Sequence, residues 1–208
     1  MKIAVIAANG RTGQAFVAQA LQAGHLINAN VHNSNNLKPH PNLSILKGDA
    51  SDRAYINKLL KDQEAVVSFI GHTKNSDQNI QTKTTEVLVE VMAKNNIKRL
   101  VSLTGTGVRF PNYKITLIDR FLNSTIRLID PKRINDGTEH VKVIKSSDSD
   151  WTVLRVLKLQ NTSLGEFKLT LNGPAKLIVA RAEVAQAVLD ILEHKLFMHQ
   201  APIISPKN

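Results

Sequence analysis

The chain has 208 residues, 42% of them hydrophobic, with a formal net charge of +10 and no cysteine. That size suits one domain over residues 1–208 with a sizeable core, and the missing cysteines exclude disulfides, a thiolate nucleophile and a Cys-ligated metal, as in a reducing cytoplasm. No segment approaches the about 18 apolar residues of a membrane span, so no membrane partner is expected; acids lie among the bases (Asp119-Arg120, Asp130-Pro131-Lys132-Arg133), so the charge suits an anionic small ligand better than nucleic acid.

Taken in order, Ile3 to Ile6 is a short, continuous apolar run, the pattern of a strand buried on both faces of a parallel sheet. It is too short for a signal peptide. Ala8-Asn9-Gly10 breaks it, and from Gly13 onward Phe16, Val17, Ala20 and Leu21 recur at helical spacing until Gly24 stops the helix. A strand, a glycine-bearing turn and a helix N-terminus together favour a phosphate group: the glycines admit backbone close to the ligand, and the helix offers free N–H groups. His25 to Val31 reads as a second strand, interrupted by Asn28 and Asn30. It ends in His32-Asn33-Ser34-Asn35-Asn36, with no Asp or Glu where a ribose 2′-hydroxyl usually meets one.

Leu43 to Leu46 is a third strand and Gly48-Asp49-Ala50 ends it. Asp49 or Ser51 is then expected to cap a helix from Asp52 to Leu60. Ala65 to Gly71 is a fourth, buried strand, followed by polar His72-Thr73-Lys74-Asn75. Ligands of open α/β sheets lie at such carboxyl ends. Ile80 to Lys94 is a helix with Val87, Leu88, Val91 and Met92 inward. Lys98 to Leu103 is a fifth strand, closed by Thr104-Gly105. Ile115 to Leu122 and Pro131 to Lys145 read as helices, with Asn123 to Asp130 between them. Trp151 to Arg155 is a sixth strand. Phe167 to Leu171 and Lys176 to Val179 read as a hairpin turning at Asn172-Gly173. A helix from Arg181 to His194 follows, and Ala201 to Ser205 is a short last strand. There is no P-loop, no Gly-x-Ser-x-Gly elbow, no His-Glu-x-x-His and no histidine pair at metal-ligand spacing, so no metal is expected.

Ala7-Ala8-Asn9-Gly10-Arg11-Thr12-Gly13 resembles the GATGxTG signature of the atypical short-chain dehydrogenase/reductases, which include the NmrA-like proteins and the biliverdin-IXβ/flavin reductases. Ala7 replaces the family's first glycine, at about 1 kcal/mol if that position needs a positive φ. Trp151-Thr152-Val153-Leu154-Arg155 is similar to the family's WTILRP strand. The resemblance implies an α/β, Rossmann-type doubly wound parallel sheet with helices on both faces and a small C-terminal excursion on the substrate side. It implies an NADP or NAD site. Ala7, Asn9, Gly10, Arg11, Thr12 and Gly13 would meet the diphosphate, and His32 and Asn33 the ribose. Asp49 and Ala50 would meet the adenine, and Ile70, Gly71, His72 and Thr104 the nicotinamide half. The missing acid near His32 leans toward NADP, while the family's arginine there is also missing.

For chemistry, the resemblance nominates Thr104 to orient a carbonyl and Lys158 or water to supply a proton. The Tyr-x-x-x-Lys pair of better-known short-chain dehydrogenases is absent. Tyr113 beside Lys114 is the nearest stand-in, although adjacent residues on a helix point about 100° apart. The excursion from Arg109 to Lys145 is expected to cover the nicotinamide or to form a homodimer surface. Two functions stay open: an NAD(P)H-dependent oxidoreductase passing hydride to a small planar acceptor (flavin, quinone or carbonyl compound), or a non-catalytic, NmrA-like redox sensor acting through a protein partner.

Overall fold

A computed structural model describes residues 1–73 and 75–207; Lys74, expected beside His72, lies outside the described residues. The elements run β1 (Lys2–Ile6), α1 (Arg11–Gln22), β2 (Leu26–Val31), β3 (Leu43–Lys47), α2 (Arg53–Leu60), β4 (Ala65–Ser68), α3 (Ile80–Lys94), β5 (Arg99–Gly105), α4 (Leu117–Ile129) and α5 (Pro131–Ser146). They continue with β6 (Asp150–Val156), β7 (Lys158–Gln160), β8 (Phe167–Thr170), β9 (Ile178–Ala180), α6 (Arg181–Glu193) and β10 (Ile203–Pro206). Among them is an eight-stranded sheet in the order β3-β2-β1-β4-β5-β6-β10-β8. It is parallel except for β8, which pairs antiparallel with β10. This is the doubly wound, Rossmann-type arrangement, with β1 and β5 on either side of β4 at its centre.

Side-chain alternation explains why both faces need helices. On β1, Ile3 and Val5 enter one core with Phe16, Val17 and Ala20 of α1 and Val184, Val188 and Ile191 of α6. Ala4 and Ile6 enter the opposite core with Ile56, Leu59 and Leu60 of α2, Leu88 and Met92 of α3, and Ile144 of α5. Each of these five helices presents one apolar stripe to its face of the sheet.

Several boundaries differ from the sequence reading. The fourth strand stops at Ser68; Phe69 N still donates to Ile6 O at 3.2 Å, and the chain from Ile70 to Thr73 runs on outside the strand. Helix α2 is capped by Asp52, whose Oδ1 accepts from Ala54 N at 2.8 Å and Tyr55 N at 3.2 Å, because Asp49 is taken up by Ser51. Helix α4 runs on through Asn123 to Ile129: a Thr116–Asp119 capping box starts it, and no breaker occurs before Asp130-Pro131.

The expected hairpin does not form. Strand β8 pairs with β10, and β9 pairs in parallel with β7 in a separate ribbon. The Asn172-Gly173 turn is spent on another partner. Asn172 Oδ1 accepts from Lys114 N, and Gly173 N donates to Lys114 O. Pro174 next in line has no N–H to give a hairpin ladder.

Candidate functional site

The first βα corner is built around two residues. Ala7 takes the left-handed conformation, φ 56°, so the sequence pattern's glycine is replaced without changing the turn. Asn30, on β2, holds the turn in place: its Oδ1 accepts from Ala7 N at 3.0 Å. Its Nδ2 donates to Gly48 O at 3.0 Å and to Tyr55 Oη at 2.8 Å, and Tyr55 Oη donates on to Leu46 O at 2.7 Å. One buried amide thus ties the ends of β1, β2 and β3 together. Burial pushes the Tyr55 phenol above its ordinary range, so it stays a neutral donor.

Gly13 is where α1 touches β1. A Cβ there would fall 2.5 Å from Ala7 O and 2.7 Å from Ala8 O, both backbone atoms. The helix start is bare: Gly10 caps it without a side-chain hydrogen bond, and the first helical N–H with a backbone acceptor is Gln14, donating to Gly10 O at 2.8 Å. Among the described residues the N–H groups of Arg11, Thr12 and Gly13 therefore have no acceptor, with the positive end of the helix dipole behind them. An anionic diphosphate is the ligand such a corner suits.

Next to this corner lies a cleft of about 970 Å³ at the carboxyl ends of β1 to β4, the size of a small-molecule site. Its walls include Ala7, Asn9, Gly10, Arg11, Thr12, Gly13, His32, Asn33, Asp49, Ala50, Ile70, Gly71 and His72. All the residues expected at a cofactor are therefore brought together except Thr104. Asn9 stitches the far wall on: its Nδ2 donates to Ser34 Oγ at 3.1 Å and its Oδ1 accepts from Asn36 N at 2.7 Å. Hydrogen bonds from Ser51 N and Oγ hold the Asp49 carboxyl below its usual range, with His32 across the cleft adding to this.

Arg181, missed in sequence, also lines the cleft. Burial and then the nearby Arg11 charge lower its guanidinium below the ordinary value. Among the described residues neither arginine has a carboxylate within ion-pair reach. Two uncompensated guanidiniums beside a bare helix N-terminus fit a doubly charged diphosphate. Nothing in sequence signalled Arg181, because its position depends on α6 packing across α1.

The other side of the cleft holds a pair that sequence did not reveal. His72 Nε2 lies 2.7 Å from Asp136 Oδ2, with side-chain exposures of 11% and 0%. Asp136 comes from α5 yet serves the start of α3: it accepts from Gln81 N at 2.9 Å, Thr82 N at 3.0 Å and Thr82 Oγ1 at 2.6 Å. Ringed by donors, this carboxylate acts as acceptor, so His72 Nε2 donates to it and Nδ1 has no protein partner among the described residues. Behind it, Ser102 Oγ and His140 Nε2 are 2.8 Å apart. Burial lowers His140 to about 4, keeping it neutral.

The three catalytic candidates lie outside the cleft walls. Thr104 is buried and faces α5, where a Cβ on Gly137 would come 3.0 Å from its Oγ1. The helix carries glycine at that contact and Val141 one turn on, so no Tyr/Lys pair meets Thr104. Lys158 opens β7 and is exposed. Tyr113 is part of the scaffold: its hydroxyl accepts from Ala201 N at 3.1 Å, and its ring stacks on Phe110, centroids 5.6 Å apart. Arg155 lies over both rings at 5.1 and 5.2 Å.

Known proteins are similar to this chain in sequence or in structure. YwnB of Bacillus subtilis (strain 168), an uncharacterized protein, is 25% identical over 212 residues, covering 93% of each chain. A short-chain dehydrogenase/reductase of Veillonella parvula solved with NADP superposes with a TM-score of 0.83 at 16% identity, over 100% of this chain and 95% of that one. SP1627 of Streptococcus pneumoniae, a candidate NADH-flavin reductase, gives 0.80 at 21% identity over 99% and 98%. ChuY of Escherichia coli O157:H7, an anaerobillin reductase, gives 0.79 at 15% over 99% and 97%. The family model for NAD(P)H-binding domains matches residues 7–195, from the Ala7 corner to the end of α6, and the chain belongs to that NAD(P)H-binding family.

Proposed function

We propose that this protein is an NAD(P)H-dependent reductase that passes hydride to a small planar acceptor such as a flavin, a quinone or a conjugated carbonyl compound. When bound, the reduced nicotinamide supplies the hydride. The chain's own work is to hold and to protonate. Arg11–Gly13 N–H groups with Arg11 and Arg181 would bind the diphosphate. His32, Asn33, Asp49 and Ala50 would take the adenosine, and Ile70, Gly71 and His72 the other half. NADP is favoured over NAD because His32 to Asn36 offer no carboxylate and Asp49 is already engaged by Ser51.

The observation that carries the reading is the His72–Asp136 pair in the cleft wall after β4. Asp136 fixes the imidazole through Nε2–H; in its imidazolium form the ring would deliver the Nδ1 proton to the reduced acceptor and return to the neutral Nε2–H tautomer. Planar, conjugated acceptors need little more acid catalysis than this, which suits a site without the Tyr/Lys pair. The test is NADPH oxidation with flavin mononucleotide and short-chain quinones. Replacing His72 by Asn should lower kcat about 100-fold while NADPH affinity changes less than about threefold. Unchanged kcat removes His72 from the chemistry.

A second reading, a nucleotide-sensing regulator without turnover, is supported by Gly137 facing Thr104 where a catalytic tyrosine would be expected. NADPH binding with no oxidation across those acceptors would select it.

A further inference from the structure

Helix α4 is folded with its apolar side outward. Leu117, Ile118, Phe121, Leu128 and Ile129 are 67% to 84% exposed, whereas Asp119 and Asn123 are buried. At 3.6 residues per turn the outward residues fall within one stripe about 120° wide. The polar side is anchored. Asp119 Oδ1 accepts from Ala175 N at 3.1 Å, its Oδ2 accepts from Thr116 Oγ1 at 2.8 Å, and Asn123 Oδ1 accepts from Thr106 Oγ1 at 3.0 Å. Those bonds prevent the helix from rolling its apolar stripe into the protein. Exposed Arg120 and Arg127 lie together along one side of the stripe, and exposed Lys132 and Arg133, the latter paired with Asp130 at 3.2 Å, open the next helix.

We infer that α4 is a docking surface for an anionic phospholipid membrane. An amphipathic helix with an outward Leu/Ile/Phe stripe and a basic border lies in the plane of a charged lipid interface, apolar residues in the acyl boundary and cations at the headgroups. The charge of +10 on the whole chain adds to that attraction. A second copy is the weaker occupant. It would bring the same exposed arginines face to face. The inference does not depend on which acceptor the cleft serves.

Co-sedimentation of the full chain with unilamellar vesicles tests it. The protein should pellet with phosphatidylcholine–phosphatidylserine vesicles at low salt and at least tenfold less with phosphatidylcholine alone. Paired F121D and L128D substitutions should abolish pelleting while NADPH binding persists. As a second readout, F121W should show a blue-shifted emission with the anionic vesicles only. No pelleting with anionic vesicles, or pelleting unaffected by F121D/L128D, overturns the proposal. So does a dimer in sedimentation velocity that F121D dissociates in protein that does not bind vesicles.

Discussion

Ala7 and Gly13 show how a corner made for a diphosphate tolerates one departure from pattern and not another. Ala7 stands at φ 56°, a conformation that disfavours a Cβ but does not forbid it. Replacing Ala7 by Gly should leave unfolding free energy within about 1 kcal/mol of wild type or raise it, as relief of strain offsets the freer unfolded chain; denaturant titration reads this. The same change at Ala20, buried in α1, should destabilise by about 1 kcal/mol. Gly13 allows no such exchange, since any side chain meets the carbonyls of Ala7 and Ala8. The residues around this corner were legible in sequence because strand, turn and helix are contiguous there. Asn30 was not: read as an interruption of a strand, it is the amide that holds the turn through three hydrogen bonds. Arg181 and Asp136 were not either, because each reaches its partner across a long stretch of chain.

Between elements, the joint of α3 with α5 depends on one carboxylate. Asn79 caps α3 without a side-chain bond, and Asp136 replaces it from the neighbouring helix. Replacing Asp136 by Ala leaves the buried Gln81 N–H and the half-buried Thr82 N–H unmet, while the Thr82 hydroxyl keeps the backbone carbonyl of residue 136, so unfolding free energy should fall by about 3 kcal/mol. Beside it, His140 gives the fold an acid limit. Its folded value is about 4 against an ordinary 6.5. The unfolded chain therefore binds the extra proton first as pH falls, and stability should drop by about 3 kcal/mol between about pH 6.5 and 4. A His140→Gln variant, with no proton to take up, should flatten that part of the stability–pH curve. Elements whose signals are local were found where expected: the apolar run of β1, that of β4 up to Ser68, and the spacing of α1, α3 and α6. The Asn172-Gly173 turn was misread because its hydrogen bonds go to Lys114 rather than across a hairpin. The inverted face of α4 has no signature in periodicity, which shows that a helix is amphipathic but not which side turns inward.

At the scale of the whole molecule, the sheet order places the ends of β1, β2, β3 and β4 around one cleft, and the family match spans that entire frame. Gly71 offers the cleanest probe of what the cleft holds. It lines the cavity, and among the described residues a Cβ there would meet nothing within 4 Å, so a side chain at this position extends into open space beside the ligand site. Isothermal titration calorimetry with NADPH on the wild type and on Gly71→Phe is the most direct measurement. The structure predicts micromolar or tighter binding by the wild type, and at least 100-fold weaker binding by a variant whose melting temperature is unchanged. Equal NADPH affinity in the two proteins, or no binding by the wild type, would contradict it.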